Sequence, residues 1–187
     1  MEEKKINVYI ESNPNPNSLK FVTNFMLIPE GENYDFIDSN DAKNSPLALE
    51  LFKFKYIKRV FYMSNFITIT KSEKYKWENI KEDIKEFIKN YLKKNKTIIF
   101  KKKEKKIKTK KDSDVIVRIK NILDEYIRPI VEKDGGAVIF DSFKDGNLKV
   151  VLQGSCRGCP SASITLKYGI ENIIKRIIPE VKNVESK

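Results

Sequence analysis

Apolar residues change their spacing several times along this chain, and each change marks an element. Ile6, Val8 and Ile10 alternate with polar neighbours at the period of a half-buried strand, and the turn-forming run Asn13-Pro14-Asn15-Pro16-Asn17 stops it. Leu19 and Phe21, with Phe25 to Ile28 behind them, predict a second strand ending at Pro29-Glu30-Gly31. Ser45-Pro46 reads as an N-cap and first helical position, with Leu47, Ala48, Leu51 and Phe52 at helical spacing after it. Ile57 and Val60 to Met63, then Phe66 to Thr70, are two β-branched and aromatic runs separated only by Ser64-Asn65, which predicts a hairpin. From Trp77 the period changes to three or four: Ile80, Ile84, Phe87, Ile88 and Tyr91 line one side of an amphipathic helix.

A second series begins at Ser113 or Asp114, either of which can cap a helix carrying Ile116, Ile119, Leu123, Tyr126 or Ile127, and Ile130 as one apolar stripe that Pro129 bends or ends. Asp134-Gly135-Gly136 is read as a turn in which glycine supplies positive φ, with a functional role beyond the turn as the alternative. Val138 and Phe140, then Leu148, Val150 and Leu152, predict a hairpin turning at Lys144-Asp145-Gly146-Asn147. Pro160 starts a helix through Ile164, Ile170, Ile173, Ile174 and Ile177, and a last short strand runs through Val181 and Val184. The order is α+β: β-β-α-β-β-α, then α-β-β-α-β.

Charge separates the two series. The net charge is +11, yet Lys93 to Lys111 alone holds 11 Lys against one Glu, so the rest of the chain is nearly neutral. A run of that kind repels itself and predicts an extended tether, dividing the chain into an N-terminal domain over 1–92, a basic linker over 93–111 and a C-terminal domain over 112–187. With Phe100 as its only aromatic, the run lacks the stacking platforms of a nucleic-acid binder and suits attraction to acidic partner surfaces better. No apolar run approaches a bilayer span. Asn13 to Asn17 suits a rigid turn before a partner-binding loop.

The chemistry sits in Gly154-Ser155-Cys156-Arg157-Gly158-Cys159-Pro160. Cys156 and Cys159 are the only cysteines of the chain, which has no histidine, so mechanisms needing an imidazole are excluded. Two thiolates at this spacing suit an iron-sulfur cluster, zinc, or a dithiol-disulfide couple, and the spacing alone does not choose between them. A helix beginning at Pro160, together with Arg157, favours anionic sulfur, and Gly154 and Gly158 allow backbone N–H groups to approach closely. A site with four thiolates needs two chains. A site that gives up what it binds would also need the loop exposed, so that competing thiolates can reach it.

Residues Gly154 to Pro160, followed by Ser161 to Asn172 and Ile178-Pro179-Glu180-Val181, with Ile127-Arg128-Pro129 and Asp134-Gly135-Gly136 before them, closely resemble the C-terminal domain of NifU-type iron-sulfur proteins. Asn13 to Phe21, Ser45 to Ala48, Leu51-Phe52 and Phe66 to Lys71 look like the N-terminal domain of Nfu scaffold proteins. Ala137 departs from the pattern, which often carries an acidic residue there, so no role of that carboxylate transfers to this chain.

The resemblance implies a 4Fe-4S cluster held between two subunits by Cys156 and Cys159 of each. It implies a carrier rather than an enzyme, a homodimer when loaded, receiving clusters from the assembly machinery and passing them to apo-proteins. The competing class is a thiol-disulfide oxidoreductase cycling Cys156 and Cys159. Met1-Glu2-Glu3 leads into the first domain without an Arg- and Ser-rich leader, which sets the expectation of a bacterial-type cytoplasm, with the mitochondrial matrix as the alternative.

Overall fold

The computed structural model describes residues 5–94, 97–100, 113–157 and 162–186, with the backbone alone for 162–167. The chain forms two compact units that divide after Lys102. The first contains β1 (Val8–Ser12), β2 (Ser18–Thr23), β3 (Asn33–Phe36), α1 (Pro46–Leu51), β4 (Ile57–Met63), β5 (Phe66–Lys71) and α2 (Lys81–Lys94), preceded by a 3₁₀ turn at Trp77–Asn79. Its strands make one antiparallel sheet in the order β1-β2-β5-β4-β3. Leu47, Ala48 and Leu51 of α1 and Ile84, Ile88 and Leu92 of α2 share a core with Phe21, Val60, Tyr62, Ile67 and Ile69 of the sheet.

Two sequence expectations change here. Phe25 to Ile28 is not strand: β2 ends at Thr23, and the backbone N–H groups of Leu27 and Ile28 reach the Ser64 carbonyl at 2.8 and 3.2 Å, folding this segment over the β4–β5 turn. The pattern also missed β3, whose Asn33-Tyr34-Asp35-Phe36 has no β-branched residue and two poor strand formers. Pairing with β4 makes it a strand. The Asp35 carboxylate takes a two-pronged ion pair from Arg59 at 2.6 and 2.5 Å, and Phe36 meets Tyr62 edge-on with ring centroids 5.4 Å apart. The first unit is therefore β-β-β-α-β-β-α.

The Asn-Pro-Asn-Pro-Asn segment is a rigid turn. The Asn13 and Asn15 side-chain oxygens accept from the N–H groups two residues on, each at 3.0 Å, and the Trp77 indole donates to the Pro16 carbonyl at 3.0 Å. Ser45 caps α1 as the sequence predicts, accepting from the Ala48 N–H at 3.2 Å. Its hydroxyl also donates to the Ile98 carbonyl at 2.7 Å, and the Phe100 N–H donates to the Asn44 carbonyl at 2.7 Å. Ile98 is buried in this core. Lys93, Lys94 and 97–100, which the sequence reading placed in the linker, thus lie with the first unit, and 95–96 and 101–111 lie outside the described residues.

The second unit contains α3 (Asp114–Ile122), a π-helical stretch (Leu123–Ile127), α4 (Arg128–Lys133), β6 (Gly136–Lys144), β7 (Asn147–Gly154), α5 (Ala162–Ile177) and β8 (Asn183–Ser186). β6 and β7 pair antiparallel, and β8 joins β7 parallel. Asp145 and Gly146, both at positive φ, make the two-residue hairpin turn. Pro129 neither ends the helix nor leaves it regular. Lacking an N–H, and with a ring that crowds the carbonyl four residues back, it is accommodated by widening the preceding turn to π. That inserted residue shifts the apolar stripe: Ile119, Leu123, Ile127 and Val131 are buried, while Tyr126 and Ile130 are 48% and 51% exposed. Leu148, Val150 and Leu152 of β7 meet them in the core with Ile170, Ile174, Ile178 and Val184.

Candidate functional site

The far end of the β6–β7 ladder carries the candidate site. Gly136 opens β6 opposite Gly154, which closes β7, so the two glycines face each other in the last rung before the cysteine loop. Gly135 and Gly154 have φ of +78° and +61°, the left-handed region that a residue with a side chain enters at a cost. The Ser155 N–H donates to the Gly135 carbonyl at 3.2 Å, and the Ser155 hydroxyl donates to the Asp134 carbonyl in a short bond. The Arg157 N–H closes the turn onto the Gly154 carbonyl at 3.3 Å. The Asp134-Gly135-Gly136 turn and the start of the cysteine loop are therefore stitched together by backbone and Ser155.

Cys156 stands inside this stitch. It is only 4% exposed and belongs to the hydrophobic core of the second unit, whereas its neighbour Arg157 is exposed. A Cβ on Gly136 would fall 2.5 Å from the Cys156 sulfur, 3.2 Å from its Cβ and 2.7 Å from the Gln153 carbonyl oxygen. Such separations are within van der Waals contact, so the sulfur fills the space that a side chain at 136 would take. The glycine needed by this close approach is a feature of the candidate site that sequence reasoning read first as a turn, with a functional role as the alternative. Nor is the whole loop open, as a carrier was expected to require: the sulfur of Cys156 is packed in.

Cys159, together with Gly158 and Pro160, lies outside the described residues, and the following helix is described from Ala162. Among the described residues no group of three or more Cys, His, Asp or Glu converges on one point. The soft sulfur of Cys156 is a donor that suits iron or zinc in type. One buried sulfur, that of Cys156, does not complete such a site. No helix among the described residues is long and apolar enough to cross a membrane.

Comparison with known proteins follows the same division. Residues 8–95 match the family model "Scaffold protein Nfu/NifU N terminal", and residues 119–185 match the "NifU-like domain". The two matches, in this order, define a two-domain protein of the Nfu/NifU class. Relatives similar over nearly the whole chain narrow this further. The NFU1 iron-sulfur cluster scaffold homolog, mitochondrial, of Homo sapiens is 39% identical over 180 residues, covering 95% of this chain and 70% of the relative. The protein of the same name from Drosophila persimilis is 37% identical over 180 residues, covering 95% of this chain and 64% of the relative. The chain belongs to the NFU1 iron-sulfur cluster scaffold family. It spans 60 to 65% of the length of the first Drosophila relatives it matches. A solution structure of a NifU-like protein from Saccharomyces cerevisiae is also similar, at 25% identity and a TM-score of 0.48 over 55% of this chain and 92% of that one.

Proposed function

We propose that this protein carries a 4Fe-4S cluster between two copies of the chain, each contributing Cys156 and Cys159, and hands it to apo-proteins without catalysing a reaction of its own. The observation that carries the reading is that the only two cysteines of a histidine-free chain stand three residues apart in the loop that leaves β7 of its NifU-like domain. A cubane usually takes four protein ligands, so two per chain make a half-site, and a second copy supplies the rest. Release is a ligand exchange with no change of oxidation state. Recipient thiols lose their protons as they bind iron, and the freed cysteines of the carrier take protons up. The donors are the cluster-assembly machinery and the recipients are apo iron-sulfur proteins. The compartment is the mitochondrion, as the names of the relatives say of them, in place of the cytoplasm first expected.

Reconstitution with iron and sulfide in the absence of oxygen, followed by iron counting and mass measurement under native conditions, tests this. The expected product contains about one cubane per two chains and is lost in both Cys156→Ala and Cys159→Ala. An intact cluster on a solitary subunit with no added thiol rules the shared site out. Disulfide reduction by a cluster-free monomer would favour an oxidoreductase instead.

A further inference from the structure

A sulfur packed into a core cannot be shared with a second chain. We infer that Ser155 and the Asp134-Gly135-Gly136 turn form a latch that holds Cys156 in a withheld position, and that cargo is bound only after the latch opens; the second clause rests on the carrier reading above. The latch has two parts. Gly136, having no side chain, provides the seat, because the Cys156 sulfur lies 2.5 Å from where its Cβ would be. Ser155 provides the catch: its hydroxyl holds the Asp134 carbonyl and its N–H holds the Gly135 carbonyl, so the residue next to the sulfur is tied at two points to the opposite strand's entry turn.

What opens is equally local. Gly154 and Gly135 flank the two tie points, and both sit at positive φ, where glycine exchanges between wells with no Cβ to hinder it. Breaking the Ser155 hydroxyl bond and turning about Gly154 moves Cys156 outward without disturbing Leu152 or Val150, which anchor β7 in the core. The register of β6 with β7 is kept. The device keeps a soft nucleophile away from stray metal and oxidants while leaving it a short backbone rotation from use.

The test measures thiol accessibility and needs no cluster. In the full chain carrying Cys159→Ser, only Cys156 can react with iodoacetamide, and its rate is compared at one pH in buffer and in urea. In buffer it should react at least about tenfold more slowly than in the unfolded chain, because reaction proceeds through the open population. Adding Ser155→Ala should speed it by a few-fold to about tenfold, the population change that follows loss of one intramolecular hydrogen bond. Adding Gly136→Ala instead should also speed it, by displacing the sulfur from its seat. Circular dichroism checks that each variant is folded. Native reactivity equal to that of the unfolded chain overturns the latch, as do folded variants that both react at the parent rate. Failure of the carrier reading looks different: the substitutions free the sulfur, yet with both cysteines restored neither the Ser155→Ala and Gly136→Ala chains nor the unaltered chain takes up iron and sulfide.

Discussion

Replacing Gly136 by Ala sets two opposed effects against each other, and the structure decides the sign. Where the backbone tolerates it, Gly→Ala stabilises by about 0.4–1 kcal/mol by restricting the unfolded chain. Here the added methyl would stand 2.5 Å from the Cys156 sulfur and 2.7 Å from the Gln153 carbonyl oxygen. The sulfur is a side-chain atom and can move. The carbonyl belongs to β7, held to β6 through the Gly136–Gly154 and Ala137–Gln153 rungs, and moves only if that end of the ladder opens. Overpacking of this kind costs about 1–3 kcal/mol, so a net loss of about 1–2 kcal/mol is expected. For a unit of this size that lowers Tm by about 4–8 °C per kcal/mol.

The chain reports which unit has been hurt. Its single tryptophan, Trp77, lies in the first unit, so indole fluorescence follows that unit, while far-UV circular dichroism follows both. Gly136→Ala should shift a dichroism transition and leave the Trp77 transition in place. A double-mutant cycle with Cys156→Ala then divides the cost, since removing the sulfur relieves one clash and leaves the carbonyl. A coupling of about 0.5–3 kcal/mol is expected between the two sites. A variant as stable as the parent, or a coupling within experimental error of zero, would refute the packing of the sulfur against Gly136.

Ile98→Ala should cost the first unit about 2–4 kcal/mol, read as a lower urea midpoint of Trp77 fluorescence, because Ile98 is part of that core; an unchanged midpoint would return 97–100 to the tether. Asp35→Ala leaves Arg59 without its partner where the two side chains are 5% and 12% exposed, and should cost about 3 kcal/mol with little relief from added salt. A loss below about 0.5 kcal/mol would show the pair to be an ordinary surface contact. Burial pushes the Tyr62 hydroxyl well above its ordinary value near 10, against the opposing hydrogen bond with Ser45. Because the folded value is raised, the stabilisation is complete below pH about 10 and is lost as pH climbs toward the folded value, by up to about 1.4 kcal/mol per unit. Urea midpoints from pH 9 to 11 should therefore fall less steeply in Tyr62→Phe than in the parent, and parallel slopes would contradict this.

Spacing alone was enough to place most elements, because amphipathic order is written one residue at a time. The β4–β5 and β6–β7 hairpins, the Ser45 cap and helix α2 were all legible from period, turn residues and caps. The loop that holds Cys156 directly follows β7, as the sequence predicts, and the proposed chemistry of the cysteine pair rests on two soft ligands in a histidine-free chain and on resemblance. What escaped the sequence depends on partners far along the chain. Asn33 to Phe36 is a strand because β4 offers a ladder edge and Arg59 a counter-charge, neither visible in the tetrapeptide. Val131 replaces Ile130 in the core because Pro129 adds a residue to the preceding turn. Ile98 leaves a lysine-rich stretch for the first core because the Ser45 hydroxyl donates to its carbonyl and the Asn44 carbonyl accepts from the Phe100 N–H. Cys156 is withheld in the core because two glycines meet across the last rung of a sheet, a juxtaposition that only the folded register creates.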